Sequence, residues 1–177
     1  IVANSNFTKN LGIKIGVPEN KIHVIHPGCD NPTIIEKESK IRAEEIYKKC
    51  FPRIITVARL ERRKNHQNIL MCIKNLKEKF PKIRYISIGD GEEKNNLLKL
   101  RQELKIEKEV IFLDKLDQKL KNALVKNSNL FLMPSIAFKK SVEGFGISYI
   151  EAASYGVGSI GGKQGGARDA IQDGKTG

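Results

Sequence analysis

Short apolar, β-branched runs alternate along this chain with longer stretches whose apolar residues recur at helical spacing. The runs Ile22–Ile25, Ile54–Ala58, Tyr85–Ile88, Val110–Leu113, Leu130–Met133 and Val157–Ile160 predict strands. The stretches Glu38–Lys48, Asn65–Lys79, Lys94–Leu104, Gln118–Lys126 and Phe145–Tyr155 predict helices. This regular alternation predicts an α/β fold, a Rossmann-like parallel sheet with helices on both faces. The second helix has the clearest stripe: Ile69, Cys72, Ile73, Leu76 and Phe80 share one face, lysines take the other, and Pro81 stops it. Cys72 is therefore expected in the core.

Open sheets of this kind bind ligands beyond the carboxyl ends of their strands, so the residues that follow strands carry the candidate chemistry. Arg59 and Lys64 lie between a strand and a helix, where free N–H groups and the helix dipole already favour an anion. An Arg fork and a Lys point charge placed there suit a diphosphate without a metal; a solvated basic loop, with Arg62 and Arg63 beside them, is the plainer reading. Gly89-Asp90-Gly91 follows the third strand and reads as a turn, because Lys94 breaks the dinucleotide fingerprint.

The strongest signal runs from Glu143 to Glu151, two carboxylates eight residues apart across a glycine-rich turn that enters a helix. Gly144 and Gly146 would leave backbone N–H groups open to a phosphate or sugar oxygen. A capping box from Ser148 to Glu151 would explain the second carboxylate alone. Gly161-Gly162 and Gly165-Gly166-Ala167 read as another turn between strand and helix, either a second backbone approach to a ligand or a plain tight loop. Gly174-Lys175-Thr176 lacks the upstream glycine of a phosphate-binding P-loop, since position 169 is Asp. His26 and His66 are read as loop residues and His23 as part of a strand, with no metal-ligand spacing among them.

Composition narrows these readings. The 177 residues are 40% hydrophobic and 29% charged, which suits a globular domain with a real core. The net charge of +12 is read first as lysines spread over solvated faces and second as a sign of an anionic partner. Three cysteines without close spacing suggest neither a zinc site nor a disulfide framework, and a reducing compartment. No apolar run approaches membrane-spanning length, and the Asn6-Phe7-Thr8 sequon stands without other signs of secretion. The apolar start at Ile1 and the closing turn at Gly177 read as cut ends.

Taken in order, the motifs resemble the large retaining glycosyltransferase family called family 4, or group 1, of the GT-B fold. The resemblance rests on Asn4-Ser5 before a helix, His26-Pro27-Gly28-Cys29-Asp30, Val57-Ala58-Arg59-Leu60 with Lys64-Asn65, and Gly89-Asp90-Gly91. Pro134-Ser135, the Glu143 to Glu151 motif and Gly165-Gly166-Ala167 complete it, so that it covers the whole chain. Two positions depart from the family pattern: Cys29 stands for an aliphatic residue, and Gly156 to Ile160 lacks a proline.

The resemblance implies that residues 1–20 are a linker from an N-terminal acceptor domain. It makes residues 21–177 the nucleotide-sugar donor-binding domain, truncated at its C-terminal end. It places Arg59 and Lys64 on the donor diphosphate and Glu143 against the sugar. Glu151 would take the ribose hydroxyls, Gly144, Phe145, Gly146 and Ile147 the sugar and phosphate, and Asp114 to Leu116 the base. It further implies transfer of a hexose, mannose first, from a GDP- or UDP-sugar to a glycan or glycolipid acceptor bound by the N-terminal domain. No metal or cofactor is expected, and the setting is cytoplasmic with peripheral contact at the inner face of a membrane. The contrasting expectation is a non-catalytic basic module for anions or nucleic acid. Only 6% of residues are aromatic, too few for an evident stacking platform, so nucleic acid is not expected as a partner.

Overall fold

The computed structural model describes all 177 residues. Two short strands, β1 (Val2–Ala3) and β2 (His23–Val24), pair in parallel beside the main sheet. That sheet has five parallel strands: β3 (Arg53–Val57), β4 (Arg84–Ile88), β5 (Val110–Leu113), β6 (Leu130–Met133) and β7 (Ser159–Gly161), in the order β5-β4-β3-β6-β7. The helices are α1 (Asn6–Lys14), α2 (Lys37–Tyr47), α3 (His66–Lys79), α4 (Lys94–Glu103), α5 (Gln118–Lys126), α6 (Ile147–Ser154) and α7 (Ala167–Ala170).

Neighbouring residues of each central strand face opposite layers. Ile54, Tyr85 and Val110 pack with Leu60, Ile69, Leu70, Ile73 and Leu97, under α3 and α4. Ile55, Ile86 and Phe131 pack with Ala43, Tyr47, Leu124 and Tyr149, under α2, α5 and α6. Covering on both faces explains why the strands read as continuous apolar runs rather than as alternating ones. The chain leaves β3 toward β4 and β5, then returns to lay β6 on the other side of β3. The order in which strands are added therefore reverses between β3 and β6, and their carboxyl ends open a crevice there.

The predicted α/β sheet with helices on both faces is the fold observed, and the main-sheet elements lie within a residue or two of their expected positions. Three local expectations change. The first predicted strand shrinks to His23–Val24 and joins β1 instead of the main sheet. Residues 1–20 hold the helix expected after Asn4-Ser5: Ser5 caps α1 by accepting from Thr8 N at 3.0 Å, and Asn6 donates its backbone N–H to Asp169 at 2.6 Å.

Cys72 is exposed. Helix α3 lies against both the sheet and α4, which turns its buried arc toward Leu70 and leaves Cys72 and Leu76 at the edge. His66 is the first residue of α3 rather than a loop residue, and it is 2% exposed. Its Nδ1 lies 3.2 Å from the Tyr85 hydroxyl and its Nε2 3.4 Å from the Arg59 carbonyl. Loss of solvation by burial lowers its pKa from 6.5 to about 4, so it is neutral in the fold.

Candidate functional site

Strand β3 delivers the loop Ala58 to Glu61, and a single 3-10 turn, Arg62–Lys64, leads into α3. Leu60 is fully buried and holds the loop down. The turn points Lys64 inward, where it is 7% exposed, while Arg59 stays outside with 76% of its side chain accessible. From the far side of the crevice, the segment after β6 brings in Glu143, itself 8% exposed.

Lys64 Nζ bonds the Glu143 carboxylate and lies 3.4 Å from Met133 Sδ. Arg63 Nη1 donates to the same carboxylate oxygen at 3.1 Å, and its Nε donates to Glu61 at 2.8 Å. Glu61 in turn pairs with Arg59 Nη1 at 3.0 Å. Arg59, Glu61, Arg63, Glu143 and Lys64 thus form one chain of alternating charge across the crevice. Cations outnumber carboxylates within it, so it favours an added anion. Burial pulls the Lys64 ammonium below its usual range, and the contact with Glu143 works against that pull.

Sequence reasoning missed Glu61 and Arg63 as parts of this site. The signal was present as alternating charge along Arg59, Glu61 and Arg63. A lone run of that kind usually describes a solvated loop, and only the arrival of Glu143 from a distant segment gives it a centre.

The glycine-rich turn places α6 against this chain. Gly146 adopts φ +93°, and a Cβ there would sit 2.4 Å from the Tyr149 ring, so a side chain fits neither the backbone nor the space. Gly146 is also the N-cap of α6, and no side chain caps that end. The backbone N–H groups of residues 144–148 donate to no protein acceptor, which leaves a row of free donors beside Glu143. Phe145 is buried and stacks on His26 at 5.3 Å between ring centroids, which fixes the turn. The Ser148 to Glu151 capping box does not form, because Ser148 is the second residue of the helix and cannot act as its N-cap.

Glu151 lines a separate cavity of about 200 Å³, together with Asp30, Asn31, Gln118, Asn122 and Ser148. Its carboxylate has no hydrogen-bond or ionic partner. Ser148 Oγ lies 3.7 Å from Met133 Sδ, the sulfur that Lys64 also touches, so the cavity adjoins the ion chain through one side chain. The structure thus brings Lys64 and Glu143 into contact, attaches Arg59 through Glu61, and sets Glu151 one residue away. Leu116 does not join them: it is half-buried against the core and lines no part of the Glu151 cavity. Asp114 bonds Lys94 Nζ at 2.6 Å. No group of His, Cys, Asp and Glu side chains is placed to hold a metal ion, and no helix is long and apolar enough to cross a membrane.

Comparison with known proteins agrees with this architecture. The family model described as glycosyl transferases group 1 matches residues 37–177. A GDP-mannose-dependent alpha-(1-6)-phosphatidylinositol monomannoside mannosyltransferase of Mycolicibacterium smegmatis is 25% identical over 177 residues, covering 98% of this chain and 46% of that protein. The O-antigen biosynthesis glycosyltransferase WclY of Escherichia coli is 31% identical over 142 residues, covering 80% of this chain and 37% of that protein. Among solved structures, Anabaena HepE in complex with UDP and glucose superimposes with a TM-score of 0.80 at 26% identity, covering 98% of this chain and 47% of HepE. The chain therefore spans about half the length of the relatives it resembles. A doubly covered parallel sheet, a charged crevice at its switch point and a family match running from Lys37 to the last residue lead to one conclusion: this chain belongs to the group 1 glycosyltransferases.

Proposed function

We propose that this chain is the donor-binding part of a retaining glycosyltransferase, which moves a hexose from a nucleotide diphosphate sugar to a glycan or lipid acceptor. The observation that carries the reading is the ion chain with its excess of cations, set beside the free N–H groups of residues 144–148 and the Glu151 cavity. A nucleotide diphosphate sugar needs these features side by side: cations for the diphosphate, amide donors for sugar and phosphate oxygens, and a carboxylate-lined recess for the ribose.

In this reading Arg59 and Lys64 hold the diphosphate. As the bond between sugar and phosphate breaks, negative charge grows on the leaving diphosphate, and fixed cations stabilise it. Glu143 faces the sugar, Glu151 accepts from the ribose hydroxyls, and the loop at Asp114 to Leu116 flanks the base. The charge carriers are all side chains, so the step calls for no metal. Residues 21–177 form the donor part and residues 1–20 lead into it from the acceptor-binding part. The net charge of +12 supports contact with an anionic membrane face from the cytoplasmic side.

The relatives favour two donors. The mycobacterial relative is named as GDP-mannose-dependent, and HepE was solved with UDP and with UDP-glucose. We take GDP-mannose as the first candidate and a UDP-hexose as the second. Calorimetric titration with GDP, UDP, ADP and a single-stranded oligonucleotide at two salt concentrations tests this. Saturable binding of GDP or UDP, lost in Glu151→Ala, is the expected result. Binding of the oligonucleotide alone, collapsing with salt, would replace the donor reading by a basic nucleic-acid module.

A further inference from the structure

Glu143 is the buried centre of the ion chain, and it has two cationic partners of different character. Lys64 reaches it from a flexible stem with a single ionic contact. Arg63 is held at three points. Its Nε is committed to Glu61 at 2.8 Å, its Nη1 to Glu143 at 3.1 Å, and its backbone carbonyl accepts from Ile136 N at 2.8 Å. Arg63 is thus tied to two carboxylates and a backbone amide, and Lys64 to one carboxylate. The remaining titratable group facing Glu143 is Tyr149 on α6, whose hydroxyl proton is committed to the Met133 carbonyl at 2.5 Å.

We propose that Arg63 is a positioning residue: it remains on Glu143 as a permanent counter-ion, so that Lys64 can leave the carboxylate for the donor diphosphate. The proposal rests on the donor-binding reading of Lys64. Without Arg63, the departure of Lys64 would strand a buried carboxylate, which would take up a proton rather than stay charged. With Arg63 in place, Glu143 stays ionised beside the sugar, where positive charge develops as the sugar parts from phosphate. Arg63 itself is a poor diphosphate ligand, because its guanidinium already bridges two carboxylates.

Proton linkage tests this directly. GDP and UDP are titrated into the wild-type chain and into Arg63→Gln, in mildly alkaline buffers of different ionisation enthalpy. For whichever nucleotide the wild type binds, Arg63→Gln takes up about one more proton per nucleotide bound, and its affinity falls by up to about tenfold for each unit of rising pH. Arg63→Lys restores the wild-type proton balance, and adding Glu143→Gln to Arg63→Gln abolishes the extra uptake. A merely structural role for Arg63 would lower affinity without changing the proton count. Equal proton uptake and pH dependence in wild type and Arg63→Gln would overturn the counter-ion role and leave the donor reading intact. Failure of the wild type to bind either nucleotide would overturn both. If Arg63→Gln lacks a thermal transition, Glu61→Gln, which loosens one end of Arg63, takes its place: partial proton uptake supports the role and unchanged uptake overturns it.

Discussion

Lys64 and Glu143 stand 79 residues apart in the chain and meet in a buried ion pair beside Met133, at the point where the strand order reverses. A buried pair of this kind is costly to desolvate and contributes little net stability by itself. Its position at the switch point of the sheet fits the proposed donor-binding role, in which it is kept for the ligand. In that proposed role it holds a cation and a carboxylate in register until an anion competes for the cation.

The two cations of the proposed diphosphate site should separate stability from binding. Arg59 is largely exposed, so Arg59→Ala should alter unfolding free energy by no more than about 0.5 kcal/mol. Lys64→Ala leaves Glu143 buried with one cation instead of two and should destabilise the fold by about 1–3 kcal/mol. Each should weaken binding of a nucleoside diphosphate by about 1–3 kcal/mol. Urea unfolding and calorimetry together check this, and unchanged affinity in both variants would remove the diphosphate role.

Glu151 has no partner in the fold, so its removal should act on the ligand alone. Glu151→Ala should leave the thermal midpoint within the range of neutral surface changes while abolishing measurable nucleotide binding. A large fall in the midpoint would mean that the carboxylate serves the structure instead.

Two glycines of the same sign of φ provide a matched pair. At Gly146, φ is +93° and a Cβ would strike the Tyr149 ring; at Gly156, φ is +75° and the surrounding space is open. Both alanine variants incur left-handed strain of about 1–3 kcal/mol, and only Gly146→Ala adds a steric clash. Denaturant midpoints should therefore fall further for Gly146→Ala, and nucleotide binding should suffer only there.

Acid stability should carry the signature of His66. Its pKa in the fold is about 4 against an ordinary 6.5, so the unfolded chain binds the proton more readily. The contribution of neutral His66 is complete above about pH 6.5 and is lost as pH falls toward 4, a change of up to about 3 kcal/mol. His66→Gln should flatten this part of the stability curve, measured by urea unfolding across that window. An unaltered slope would place the acid sensitivity elsewhere.

The order and spacing of local patterns were enough to read the sheet, most helix limits and the residues that flank the crevice. β-Branched runs and helical stripes are short-range properties, set by backbone geometry and by which faces must leave water. Residues that follow strands were expected to gather at one crevice; Lys64 and Glu143 do meet there, while Glu151 lines a separate cavity.

Their partnerships lay beyond its reach. Arg63 resembles its neighbour Arg62 in sequence, yet one binds Glu143 and Glu61 while the other stays half-exposed near Glu93. Cys72 fits the helical stripe read along α3, yet Leu70 takes that place in the core once α4 is packed. His66 follows a basic loop and becomes buried only when Tyr85 arrives from the next strand. Local order along the chain determined which elements form and which residues reach the crevice. Tertiary structure alone decided which charge meets which, because ion pairing and burial depend on distances between segments that periodicity does not encode.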